Sequence, residues 1–439
     1  MRSSIAVILI PLMIHSSIAF CENVQPNSNI PQKLTLQQAS AMALQNHPDV
    51  LSAQFSAQAA QEGVADARSV YLPQLTGEGV RSFDQKGTVI AASGGLMSSS
   101  VIERGSIGLG LSQLITDFGR TSNLIASSRH EFESEKEHTN YVRDTVLLNV
   151  IASYYDVLRS QALLQVAKDA LKTRQTLFDQ VSALRKAKMK SDLDVTIAQS
   201  AIADANLLFL KAQSGTDQAQ ASLDEALGLS TSEYFQPVDQ VKIVAPPSSV
   251  GPLISTALDQ NPEINSLRAQ INALESNVAA ARDAKYPTIS AVGYAGETPY
   301  HVDDQPISHH YEAGGFLVSV PFFTGGRITA EEREAEYKAQ AAQENLTARM
   351  NELQRDVRIA YDNAQTAYQN IEVTHQLLES THQSLQLIQA GYQLGRSSIV
   401  DLNVAQLADT QAAITQANAN YDYLIQRAIL DYKLGNLSV

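Results

Sequence analysis

The 439-residue chain carries a formal net charge of −14, one cysteine and no tryptophan. An acidic chain without a dense Lys/Arg patch is poorly suited to nucleic acid, so nucleic acid is not expected among its partners. One cysteine allows neither a disulfide framework nor a cysteine-based zinc site within a single chain.

Arg2 precedes an apolar run at residues 5–14, and Ser17-Ile18-Ala19 forms a small-residue cleavage site. The run is too short to span a bilayer, so residues 1–19 read as a secretory signal peptide cut after Ala19. The competing reading is a lipid anchor on Cys21, but Phe20 stands where lipoprotein processing takes a small residue. Downstream there is no run of 18 or more apolar residues, so a membrane span would have to be built from strands.

The rest of the chain is written twice. ALQNHP at 43–48 matches ALDQNP at 257–262, and Pro73 matches Pro287 at the same offset of 214. SQLITDFGR at 112–120 matches SVPFFTGGR at 319–327, and from there the offset is 207: Tyr154 with Tyr361, Asp194 with Asp401, Leu227-Gly228 with Leu434-Gly435. The seven-residue difference falls between Pro73 and Ser112, where a loop between two strands is expected. The first repeat covers 20–228, a Pro/Ser-rich linker 229–251, and the second repeat 252–439. Each repeat reads as short helix, medium helix, strand, loop, strand, very long helix, turn, long helix.

In the first repeat the strands are expected at about 71–83 and 105–115. Ile107, Leu109, Leu111 and Ile115 share one face of the second, with Ser106, Gly108, Gly110 and Ser112 opposite. From Arg120 to Ser214 there is neither Gly nor Pro, and Val146, Val150, Tyr154 and Val157 form one apolar stripe at helical spacing. A helix of about 65 residues would be roughly 100 Å long. The turn, at about 186–192, lies in the basic stretch LRKAKMKSDLD, where Lys188 and Lys190 can pair with carboxylates or contact a partner. The second repeat has strands at about 286–297 and 312–323, with Phe316, Val318, Val320 and Phe322 on one face, and a turn at about 391–397. Alternation over about ten residues suits an outer-membrane strand as well as a half-buried hairpin. Four strands cannot close a membrane barrel, so several copies must share one. Long helices alone would equally suit a periplasmic coiled-coil spacer or a surface adhesin.

The duplicated openings, the YLPQL and YPTIS strand starts, the ITDFGR and FFTGGR junctions and GYQLGRSSIVDLNVAQ at 391–406 together resemble the TolC family of outer-membrane export channels. The resemblance implies a mainly α chain with a small transmembrane β part, assembled as a homotrimer. Twelve strands would form one β-barrel in outer-membrane lipid, continued by a long α-helical periplasmic barrel. Its partners would be a periplasmic adaptor and an inner-membrane transporter, either ABC or proton-driven. Its function would be that of a passive exit duct, for type I protein secretion or for efflux of small toxic molecules. The linker would lie in the equatorial region.

The resemblance also implies a gate. Asp401 matches a family aspartate that faces the pore, three copies of which form a carboxylate ring attractive to cations. Taken alone, Asp401 is simply an acidic residue near a helix start. The family's second aspartate is Val404 here, which implies one acidic ring beside a hydrophobic one. Tyr392 and Asp194 match members of the network that holds the family's closed end. The family arginine falls on Ser397, and Arg396, one residue early, would be rotated by about 100°. His301, His309, His310, Asp303 and Asp304 could ligate a metal, yet a polar exterior loop is expected there anyway. GSIGLGL lacks the third glycine and the lysine of a nucleotide loop, and HEFES is not HExxH. With no nucleophile–base constellation legible, neither an enzyme nor a cofactor is expected.

Overall fold

A computed structural model describes residues 32–83, 89–92, 95–98, 103–229, 235–238, 243–302 and 305–437. The expected signal peptide and Cys21 lie outside these residues, as do Asp303 and Asp304.

The first repeat contains β1 (Gln32–Leu34), α1 (Leu36–Asn46), α2 (Pro48–Ser69), β2 (Gln74–Phe83), β3 (Val89–Ala92), β4 (Gly95–Ser98), β5 (Glu103–Thr116), α3 (Arg120–Lys186) and α4 (Asp192–Ala226). After β6 (Phe235–Pro237) come α5 (Gly251–Gln260), α6 (Pro262–Asp283), β7 (Thr288–Val302), β8 (Gln305–Ser319), α7 (Arg327–Gln393) and α8 (Ile399–Lys433). α3 and α7 each have 67 residues, and α4 and α8 each have 35. At 1.5 Å per residue the longer pair runs about 100 Å.

The repeated NHP and QNP signatures are helix stop-and-restart signals. His47 accepts a hydrogen bond from the Asp49 amide, and Asn261 from the amides of Glu263 and Ile264. The following proline needs no amide partner at N1 and has its φ already set for the helix. The repeated strand-to-helix junctions also share one geometry. Gly119 and Gly326 cap α3 and α7 with φ of 120° and 87°. In the first junction the buried Asp117 accepts from the Thr121 amide at 2.8 Å and the Thr121 hydroxyl at 2.5 Å.

β2, β5, β7 and β8 form one antiparallel sheet in that order, with β2 and β8 at its edges. Ile107, Leu109 and Leu111 share a face and remain exposed in the single chain. On the other face a Cβ at Gly108 would lie 2.7 Å from the Tyr311 hydroxyl, so this glycine answers a close approach between strands. Several expected boundaries move. β7 continues to Val302, and β8 spans Gln305–Ser319 instead of 312–323. Val320 and Phe322 therefore lie beyond the strand, because Pro321 has no amide to extend the ladder. The seven-residue surplus of the first repeat falls in a loop that carries the β3–β4 hairpin. The linker contributes β6, which pairs in parallel with β1, a contact that three-residue strands do not announce in sequence.

Two hydrophobic cores lie where α1, α2, α5 and α6 pack on the long helices, and they share a set of equivalent positions. Val146, Val150, Val157, Leu223 and Leu227 in one correspond to Leu353, Val357, Ala364, Leu430 and Leu434 in the other, all at offset 207. Tyr154 ties the first core to the small parallel sheet, donating to the Leu34 and Val238 carbonyls at 2.9 Å and accepting from the Val238 amide at 2.9 Å.

The tips break the symmetry. α7 ends in a turn with Gly395 at φ 71°, whereas the equivalent position after α3 is Lys188 at φ 60°. Phe118 at φ 58° likewise stands where the second repeat has Gly325 at φ 63°. Left-handed backbone costs a residue with a Cβ about 1 kcal/mol. Lys188→Gly should therefore stabilise the first tip by up to about 1 kcal/mol, and Gly395→Ala should destabilise the second by a similar amount. Hydrogen exchange of the amides flanking each turn would show the two effects with opposite signs.

Candidate functional site

The four long helices end together in two turns, residues 187–191 and 394–398. Beneath them Leu177 and Val181 of α3, Ala198 of α4, Tyr392 of α7, and Ile399 and Leu402 of α8 form a small buried core. This core fixes both hairpin tips to each other.

Asp194 and Asp401 hold equivalent positions in equivalent capping boxes. Asp401 Oδ2 accepts from the Ser398 amide at 3.0 Å and the Ser398 hydroxyl at 2.7 Å, while Ser398 Oγ accepts from the Asp401 amide at 3.1 Å. Asp194 does the same with Ser191, at 2.9, 2.8 and 3.2 Å. Of the two serines able to cap α8, the structure uses Ser398 and leaves Ser397 folded back against Gly391. Gly391 itself lies inside α7, so the sharp reversal belongs to Gly395.

The caps lower both carboxyl pKa values. Asp401 falls below its ordinary 3.8 chiefly through the Ser398 hydroxyl, and then the Ser398 amide. Asp194 falls mainly through the Ser191 amide, with the Lys190 charge adding to the effect. Capping therefore does not prevent Asp401 from being an exposed anion; it keeps it ionised. Val404 is 61% exposed, and with Val400 and Leu407 forms an apolar stripe along the exposed side of α8.

The residues expected to form the tip network are only partly brought together. Tyr392 is buried, and the Lys190 ammonium sits 4.3 Å from its ring centroid. The Tyr392 hydroxyl is buried without a hydrogen-bond partner. Arg396 is exposed, and among the described residues its side chain makes no ion pair or hydrogen bond. Arg396 lies in the turn between α7 and α8 and forms no pair with Asp194, whose carboxylate is engaged by its own Ser191 cap. Lys190 occupies the bridging role between the tips, and Arg185 pairs with Asp192 at 2.6 Å. In the strand region His310 pairs with Glu297 at 3.1 Å, and among the described residues no three His, Cys, Asp or Glu side chains gather as a metal site.

Sequence reading missed Arg174. It projects from α3 into the contact with α8, donating to Asn403 Oδ1 at 2.6 Å and to Gln406 Oε1. The available signal was a heptad row: Arg174 lies seven residues from both Ala167 and Val181, and all three are buried.

Two expectations follow from the caps. Ser398→Ala should destabilise the start of α8 by about 1 kcal/mol. Because the folded-state pKa values of Asp194 and Asp401 are depressed, their stabilisation is present above the unfolded value and is lost as pH falls through the folded one. Hydrogen exchange at the first turns of α4 and α8 should hence be flat from neutral pH down to the ordinary aspartate range, after correction for the intrinsic rate, and rise only below it.

The family described as "Outer membrane efflux protein" matches residues 39–229 and 253–436. The chain is 23% identical over 425 residues to the outer membrane protein TolC of Salmonella enteritidis, covering 94% of this chain and 84% of that one. It is 24% identical over 306 residues to the toluene efflux pump outer membrane protein TtgC of Pseudomonas putida, covering 67% and 61%. The fold superposes on the crystal structure of the Campylobacter jejuni CmeC outer membrane channel with a TM-score of 0.79 at 19% identity, covering 92% and 86%.

Proposed function

The chain belongs to the outer membrane efflux protein family and is a TolC-like outer-membrane channel of efflux systems with a periplasmic extension, and from this premise we propose that it works as a passive trimeric exit duct. The observation that carries the proposal is that the protomer is open at both sides, in both of its layers. In the sheet, β2 and β8 are edges. Among the long helices, α3 packs on α4 and α8, and α8 on α7, which leaves α4 and α7 outermost.

Sheet edges in hydrocarbon leave backbone groups unsatisfied, so β8 of one copy must pair with β2 of the next. The same head-to-tail rotation brings α7 of one copy to α4 of the next, and a cyclic assembly closes both layers at once. Three copies give twelve strands, within the range of membrane barrels, and twelve long helices. α4 supports this reading. It is long and apolar enough to count as a membrane span by length and composition, yet only 17% of that stretch is buried within the chain. Leu207 and Leu210 on α4, and Val373, Leu377 and Leu387 on α7, are the exposed apolar residues that a neighbouring copy would cover.

In the trimer Asp401 forms a single carboxylate ring, and Val404 a hydrophobic one, at the periplasmic end. Such a constriction admits cations preferentially and excludes water when narrow. Asp194, Tyr392, Lys190 and Arg396 border the part that an adaptor and an inner-membrane transporter would rearrange on docking. The duct has no energy source of its own, in line with a family of channel proteins. For cargo, the similarity to TtgC, a toluene efflux pump outer membrane protein, favours small toxic molecules over secreted proteins.

Planar-bilayer recording of detergent-extracted protein, wild type beside Asp401→Ala, tests the gate. The wild type should show a small cation-selective conductance blocked by a trivalent cation, and the variant should lose the block. A conductance indifferent to the substitution moves the gate away from Asp401. Absence of conductance from a trimeric preparation would instead favour a periplasmic spacer.

A further inference from the structure

The two halves of the chain meet along α3 and α8, and this seam differs in chemistry from the hairpins on either side. Down its length lie Thr145 with Tyr432 at 2.9 Å, Arg159 with Asp422 at 2.9 Å, and Arg174 with Asn403 and Gln406. The second is a partly solvated ion pair and holds little. The third is different in kind. Arg174 is only 7% exposed and Gln406 5%, so a permanent charge is buried against two neutral amide oxygens. The nearest acidic influence is Asp204 of α4, which is itself exposed.

A buried guanidinium recovers most of its lost hydration when it meets a carboxylate, and less when it meets amides. The contact is therefore specific in direction but held less tightly than a buried ion pair would be. Its placement gives that property a use. Asn403 and Gln406 are three residues apart, so they lie on one face of α8. One guanidinium nitrogen, Nη1, donates to both, and this shared grip on two successive turns fixes the rotation of the helix about its axis. Asp401 and Val404 precede them by two residues each, within the same turns. A rotation of α8 that breaks the Arg174 contacts must swing both side chains, because each residue step is about 100° around the helix.

We propose that Arg174 is the positioning residue of the gate, a buried polar latch that holds α8 in the rotation that aims Asp401 and Val404. The assignment to a gate rests on the channel reading above; the latch itself does not. Weak amide partners make the latch reversible. Replacing one by a carboxylate would convert it to a buried ion pair that resists opening.

The test uses full-length protein and three variants, with two readouts. Hydrogen exchange across residues 399–410 should quicken several-fold in Arg174→Ala and slow in Gln406→Glu. In planar bilayers, Arg174→Ala should raise conductance several-fold and weaken block by a trivalent cation, whereas Gln406→Glu should lower conductance. Adding Arg174→Ala to Asp401→Ala should raise conductance by less than Arg174→Ala does in the wild type, a coupling that an arginine acting independently of the gate would not produce. Wild-type exchange in both single variants overturns the latch, whatever the conductance. Altered exchange with unaltered conductance and block overturns its role in the gate. Altered exchange in a wild-type background that never conducts overturns the channel reading, and the gate assignment with it.

Discussion

Hydrocarbon offers no hydrogen bonds, and most of this architecture follows from that one constraint. A four-stranded sheet with two open edges is not a finished membrane structure, and on the proposed reading the chain is one sector of it. Once the sheet has to be continued by copies of itself, the helices attached to it must also continue, because each strand-to-helix junction is short and rigid. Gly119 takes its left-handed turn three residues after β5, and Gly326 seven residues after β8, each leading directly into a long helix. The apolar sides of α4 and α7 are then required, since a tube of helices needs contacts between sectors as good as those within them.

Duplication meets the same demand twice within each sector. The two cores share equivalent positions, and the long helices match in length, which keeps the turns of both hairpins at one level. The halves differ where they take separate tasks. The first repeat places Phe118 and Lys188 in left-handed backbone that glycine fills in the second. Both lie at the ends of α3, where one half meets the membrane face and the other meets the tip. Strain tolerated only where a helix ends, next to a lysine-rich turn, is consistent with a side chain kept for an external contact.

At the tip a single carboxylate serves two ends. Asp401 closes the capping box of α8 and, being exposed and held ionised by the cap, also offers charge to the space beside it. Structural and functional readings of this residue are therefore not alternatives. An apolar cluster joins α3 to α8 at the tips, and farther along the same seam lie the polar contacts of Arg174 and Arg159.

The sequence by itself determined the repeat, the four long helices and the alternating strands, because each is written in local periodicity over ten residues or more. It also marked Asp194 and Asp401 as equivalent, since position in a duplicated motif survives without coordinates. Strand ends were legible only approximately: Pro321 forbids the ladder, yet the reading carried alternation past it to Phe322. β1 and β6 were illegible, being three residues each and stabilised by a partner some 200 residues away. The tertiary structure alone decided that Lys190, and not Arg396, reaches Tyr392, and that Arg174 is buried against α8. The reason is the same in each case. Periodicity fixes which face of a helix a side chain occupies, but the rotation and axial register of one 100 Å helix against another are set by the packing of the whole seam, and no local pattern encodes them.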